Sequence, residues 1–120
     1  MLDELIGIDL QDSFVLGWSW VDSKLVFELE LSIWPESKHY VTPKADEYTC
    51  YRKAQLIFTT VTTIIGLKPQ SSVHYTTDID GSRDYGNIDS LAISPNGYKM
   101  SGECGLITIE CKGLELKVRT

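Results

Sequence analysis

From Leu25 to Trp34 the chain alternates. Leu25, Phe27, Leu29, Leu31 and Ile33 take every second position, and Val26, Glu28, Glu30, Ser32 and Trp34 take the others. Successive side chains of a strand face opposite sides, so this pattern predicts a half-buried β-strand with one apolar and one wet face. Upstream, Phe14, Leu16, Trp18 and Trp20 alternate with Val15, Gly17, Ser19 and Val21. The short Asp22-Ser23 break makes the two segments a predicted hairpin. The upstream spacing places Trp18 and Trp20 on one face, as core residues beside Phe14 and Leu16 or as an aromatic platform.

Similar signals recur to the C-terminus. Residues 34–47 read as a long loop, broken by Pro35 and Pro43. Tyr48 to Ile65 fits either a strand or a helical stripe ended by Gly66. Thr59, Thr60, Thr62 and Thr63 lower helix propensity, so the favoured reading is a long strand bent near Thr60. Val73 to Thr77, Ile88 to Ile93, Tyr98 to Ser101 and Leu106 to Cys111 read as short strands, with turns at Asp80-Gly81, Pro95-Asn96-Gly97 and Lys112-Gly113. Leu114 to Arg119 alternates apolar and charged residues and suits an edge strand. Residues 2–8 suit a short helical turn or an edge strand.

The expected fold is all-β: an antiparallel β-sandwich or flattened barrel of about seven to nine strands, with room for one short helix. The 120 residues fit one domain, 1–120, able to bury a core without disulfides or a structural metal.

Charge narrows the function classes. Lys and Arg total 11 against 17 Asp and Glu, for a net charge of −6. Nucleic acid and anionic membrane need clustered cations, and the longest basic cluster is Arg52-Lys53, so neither is an expected partner. The N-terminus lacks the positive start and apolar run of a signal peptide, and no run of about 18 apolar residues could span a membrane. Cys50, Cys104 and Cys111 are an odd set, which suits reduced thiols in the cytoplasm. Their spacing, with His39 and His74, matches no zinc pattern. No catalytic residue and no cofactor are expected: no glycine-rich loop precedes a helix, and Glu28 and Glu30 fall on a solvated strand face.

The most polar stretch runs from Thr76 to Asp89. Asp78-x-Asp80-Gly81-x-x-Asp84 partly matches a calcium loop. Placing Asp78 and Asp80 third and fifth, however, puts Thr76 first and Asn87 last, where an Asp and a bidentate Glu belong. The other readings are a hairpin loop with turn-capping aspartates, or a recognition loop. As a recognition loop, Asp78, Asp80, Asp84, Asp89 and Tyr85 would meet a basic partner. Trp34 falls on the polar face of its strand beside the long loop that carries His39 and Tyr40. Trp34 and Tyr40 are therefore candidate aromatic anchors.

Five segments together resemble small uncharacterised bacterial all-β proteins, including predicted immunity proteins of polymorphic toxin systems. They are Trp18-Ser19-Trp20, residues 25–31 (LVFELEL), residues 54–58 (AQLIF), residues 84–91 (DYGNIDSL) and residues 98–103 (YKMSGE). The family's opening often carries a Leu-His-Asp-Ser run; Leu10-Gln11-Asp12-Ser13 departs from it in lacking the histidine. The resemblance implies a non-catalytic, toxin-neutralising protein binder. The charges along Leu114 to Arg119 disfavour open-ended edge pairing, which leaves a monomer or a homodimer as the expected state. The alternative from the residues themselves is a β-barrel or sandwich that binds a small molecule or calcium.

Overall fold

The structure, a computed structural model, describes residues 3–119. Ten strands follow a 3-10 turn at Asp3–Leu5. β1 (Ile8–Val21), β2 (Lys24–Ile33) and β3 (Cys50–Thr59) are long; β4 (Thr63–Ile65), β5 (Thr76–Thr77) and β6 (Arg83–Asp84) are short. β7 (Ile88–Ser94), β8 (Gly97–Gly102), β9 (Gly105–Glu110) and β10 (Gly113–Val118) complete the chain. One four-stranded sheet has the order β1-β2-β3-β10, the second β4-β9-β8-β7, and β5-β6 form a separate ribbon. All pairings are antiparallel. The sandwich reading holds, and neither sheet closes into a barrel. Among the described residues no helix is long and apolar enough to cross a membrane.

The alternation in β2 does what its period requires. Leu25, Phe27, Leu29, Leu31 and Ile33 are all buried, and with Ala54, Leu56 and Phe58 of β3 they form one wall of the core. Ile88, Met100, Ile107 and Ile109 of the second sheet form the other. Phe58 meets Tyr98 across the layers, ring centroids 5.6 Å apart. Burying such side chains contributes about 1.5–3 kcal/mol each, which is why one uninterrupted period settles the orientation of the strand.

Two corners join the sheets. The bend expected near Thr60 is present: Thr60 has φ +52°, and the chain leaves the first sheet after β3 to enter the second as β4. Residues 50–59 are therefore strand, not helix. The Lys112-Gly113 turn is the return crossing, since β9 and β10 lie in different sheets. The crossings brace each other: Thr62 N donates to Glu110 O at 2.9 Å and Lys112 N to Thr59 O at 3.1 Å. Residues 73–75 depart from expectation. A 3-10 turn at Gln70–Ser72 precedes them and only Thr76–Thr77 is strand.

β1 corrects the upstream alternation. Val15 pairs with Leu29, but Gly17 pairs with Glu28 and Trp18 with Phe27, so Leu16 is an extra residue in the ladder. An extra residue moves every later side chain to the other face. Val15 thus faces the core while Phe14 lies outside, its ring 6.0 Å from Tyr51. Beyond the bulge Trp18 turns inward against Phe27 at 6.1 Å. Trp20 follows it to the inner side but sits at the sheet end, 51% exposed. Phe14, Leu16, Trp18 and Trp20 do not share one face.

Candidate functional site

A larger irregularity in β1 builds the most distinctive groove. Asp9 pairs with Ser32 and Phe14 with Glu30, so five steps along β1 match two along β2. Residues 10–13, four against the single Leu31, bow out of the ladder. Ser13 anchors the bow: its Oγ donates to Asp9 O at 2.6 Å and accepts from Ser32 N at 3.0 Å. Asp12 N donates to Asp9 Oδ1 at 3.2 Å. The bow reaches the edge strand β7. Gln11 Nε2 donates to Asp89 O at 3.3 Å, and Asn87 Nδ2 donates to Gln11 O at 2.7 Å and to Ser13 O at 3.0 Å.

Between this bow, the end of β2 and the edge of β7 lies a groove of about 450 Å³. Ile8, Leu10 and Leu91 give it apolar walls, with Trp34 alongside, 41% exposed. Trp34 is held by its backbone, which donates to Gly7 O at 2.8 Å and accepts from Ser37 N at 2.9 Å. Asp9, Glu36 and Asp89 also line the groove, and no Lys, Arg or His does. Two of the sequence-predicted residues, Trp34 and Asp89, thus come together although they are far apart in the chain.

The other predicted residues lie elsewhere. Asp78 and Asp80 sit on the exposed loop between β5 and β6, beside Ile79, which is 108% exposed. Asp80 Oδ1 accepts from Ser82 Oγ at 2.6 Å and from Ser82 N at 2.9 Å, and these bonds hold its carboxyl below the usual range. Its Oδ2 lies 3.6 Å from Lys53 Nζ. The loop is therefore partly neutralised by the protein's own cation. Asp84 Oδ1 caps Gly86 N at 2.7 Å. Tyr40 is half-buried against the core and lines a different cleft.

Tyr85 corrects the recognition-loop reading. It is 3% exposed, with ring centroids 5.4 Å from Trp18 and 5.5 Å from Tyr75. Its backbone N donates to Val15 O and the adjacent Gly86 O accepts from Val15 N, both at 2.8 Å, which seals it against β1. Its ring is core and cannot meet a partner.

Among the described residues no three His, Cys, Asp or Glu side chains gather closely enough to hold a metal ion, so Asp78, Asp80 and Asp84 do not form a calcium shell. Cys50, Cys104 and Cys111 are free thiols. Burial pushes Cys104 up to about 11 and raises Cys111, which leaves both protonated and poorly nucleophilic.

Sequence reasoning missed a polar cluster at the far side of the bow. Tyr48 donates to Asp12 Oδ2, and the Tyr51 hydroxyl lies 3.1 Å from that oxygen and 2.6 Å from the Tyr48 hydroxyl. Burial raises Tyr51, and the bond to Asp12 raises Tyr48, so both stay protonated donors. The cluster ties the end of the long loop to β1. Its only sequence trace is two tyrosines three residues apart after a polar residue inside an apparent strand.

Glu30, on the outer face of β2, provides a pH test. Burial raises its carboxyl; Lys53 opposes this, while Asp78, Asp80 and Glu47 reinforce it. A carboxyl raised on folding costs stability where it is ionised, above its folded pKa, and nothing once protonated. Glu30→Gln is expected to stabilise the protein slightly at neutral pH, by under about 1 kcal/mol after solvent screening. The gain should fade as pH drops through the carboxylate range. Thermal melts of both proteins across that range check it; a less stable variant at neutral pH would mean that attraction to Lys53 dominates.

The chain matches no family model, no curated protein and no solved structure.

Proposed function

We propose that this protein is a non-catalytic binding module that receives a basic segment of a protein partner in the groove between Trp34 and Asp89. The observation that carries the proposal is the composition of that groove: three carboxylates, apolar walls, an exposed indole and no lining cation. An arginine or lysine suits such a surface. Its aliphatic stem lies on Leu10 and Leu91, and its charge meets Asp9, Glu36 or Asp89. A guanidinium can also stack on the Trp34 indole. β7 is an edge strand whose Asp89 O is already taken by Gln11 Nε2, so an extended segment running along the groove would pair with the rest of its outward backbone. In its finer form, supported by the resemblance of several segments to immunity proteins, the partner is a bacterial toxin held stoichiometrically.

The test uses a synthetic peptide alternating arginine and leucine, with a glutamate-for-arginine version as control. Amide and indole resonances are followed by NMR in the intact protein. The basic peptide is expected to shift Trp34, Asp89 and Leu91, more weakly as salt rises. Trp34→Ala and Asp89→Asn should each weaken binding at least about tenfold, or about 1.4 kcal/mol. Equal binding of the acidic peptide, or unchanged affinity in both variants, rejects the groove. A partner recovered from the native host supports the proposal only if the same two substitutions release it.

A further inference from the structure

A second cleft has the opposite chemistry. It lies where the loop residues 38–41 cover the inner edge of β3 and the end of β10, and its volume is about 350 Å³. Lys38, Arg52 and Arg119 line it, and no Asp or Glu does. Tyr40, Val41 and Val118 supply apolar wall. In a chain with a net charge of −6, three cations around one small cleft run against the overall balance. Lys38 and Arg52 have carboxylates of their own, Glu4 at 3.5 Å and Glu47 at 3.7 Å, so among the described residues Arg119 is the cation of the cleft left without an acidic partner.

The walls are built rather than incidental. Arg52 sits opposite Leu31 in the register, which aims it to the inner side of the sheet, and its Nη1 donates to Tyr51 O at 2.6 Å. Its nearest acid is Glu47, 3.7 Å away, with both side chains about four-fifths buried at 19% and 18% exposure. Arg119 is placed by its own backbone, which donates to Lys53 O at 2.9 Å. The loop is pinned by buried Ser37, whose Oγ accepts from His39 N at 3.1 Å and whose carbonyl accepts from Tyr40 N at 3.2 Å. His39, also in the wall, keeps its Nε2 buried without a hydrogen-bond partner among the described residues. A buried unpaired polar atom in a native fold calls for a physical explanation, and a bound ligand is one.

We propose that this cleft binds a small organic carboxylate with an apolar body. The carboxylate suits the Arg119 fork, with Lys38 and Arg52 adding positive potential, and the body suits Tyr40, Val41 and Val118. Apolar walls disfavour a bare, strongly hydrated anion such as phosphate.

Three probes decide it: benzoate, benzyl alcohol of similar shape without charge, and inorganic phosphate. Benzoate at millimolar concentration is expected to shift amide resonances of residues 38–41, 52, 118 and 119 and to raise the melting temperature by mass action. Benzyl alcohol and phosphate should each bind at least about tenfold more weakly. Arg119→Gln, at an exposed position, should cost about tenfold in benzoate affinity, and Val41→Asp, which sets a carboxylate in the wall, should abolish binding. Lys44→Gln, outside the cleft, should leave affinity unchanged. Absence of benzoate shifts, equal binding of benzyl alcohol or phosphate, or equal losses in Lys44→Gln and Arg119→Gln would overturn the proposal.

Discussion

Gly66→Ala is expected to destabilise the protein by about 3–4 kcal/mol, a large share of the 5–15 kcal/mol that holds a domain together. Two effects add. Gly66 has φ +92°, a conformation that costs an alanine about 1–2 kcal/mol. A Cβ there would also stand 2.0 Å from the carbonyl oxygen of Leu106, and that oxygen belongs to backbone. It cannot swing aside as a flexible side chain would. It is part of the β4–β9 pairing, where Ile65 opposes Thr108 and Lys68 N donates to Cys104 O at 2.9 Å. Gly81 separates the two effects. Its φ is +89°, nearly the same, but a Cβ there meets nothing within 4 Å. Gly81→Ala should therefore show the torsional cost alone, about 1 kcal/mol. Guanidinium unfolding of both variants measures the difference, with unchanged m values as evidence that only stability moved. Equal costs would mean that the β4–β9 contact relaxes freely.

The parts of the fold legible in the sequence are those where one local rule acts alone. β2 has a clean period, and every residue of its apolar set is buried. The turn at Pro95-Asn96 follows from turn chemistry, and strand rather than helix at residues 50–59 agrees with the threonine-rich stretch that lowers helix propensity. The parts that were not legible depend on counting across strands. Nothing local marks Leu16 as surplus, since it is apolar like its neighbours; only the partner register shows that β1 spends an extra residue there. The sheet crossing after β9 is hidden for the same reason, because a Lys-Gly turn suits a hairpin and a crossover equally.

The candidate site divides along the same line. Trp34 and Asp89 stand out locally, one as an indole on a polar face and the other as an acid beside a strand. Asp9 and Glu36 complete the groove only because residues 10–13 bow toward β7. Tyr85 has the polar neighbours of an exposed loop residue, yet the ribbon folds back on β1 and buries it. The aspartates at 78 and 80 read in the sequence as outward charge, but Lys53, brought alongside Asp80 by the fold, draws part of that charge home.

Phe27→Ala is expected to cost about 3–5 kcal/mol, because it removes a fully buried ring from a place that cannot collapse. Phe27 lies on β2 between Trp18 of β1 and Leu56 of β3, and its ring centroid is 6.2 Å from that of Phe58. The neighbour best placed to fill the void is Trp18, but it is held on two sides. Its Nε1 donates to Lys68 O at 3.1 Å, and its backbone N donates to Gln70 Oε1 at 2.7 Å. Moving the indole into the gap would break the first bond and strip the edge contact with Tyr85. The cavity therefore stays, and the cost falls toward the upper end of the range. Trp20→Ala is the matched control, two residues on from Trp18 and half exposed. Its loss should stay within about 1 kcal/mol. Equilibrium unfolding separates the two outcomes cleanly. Comparable losses at Phe27 and Trp20 would mean either that the void at Phe27 collapses or that the Trp20 indole is packed far more tightly than its exposed place at the sheet end allows.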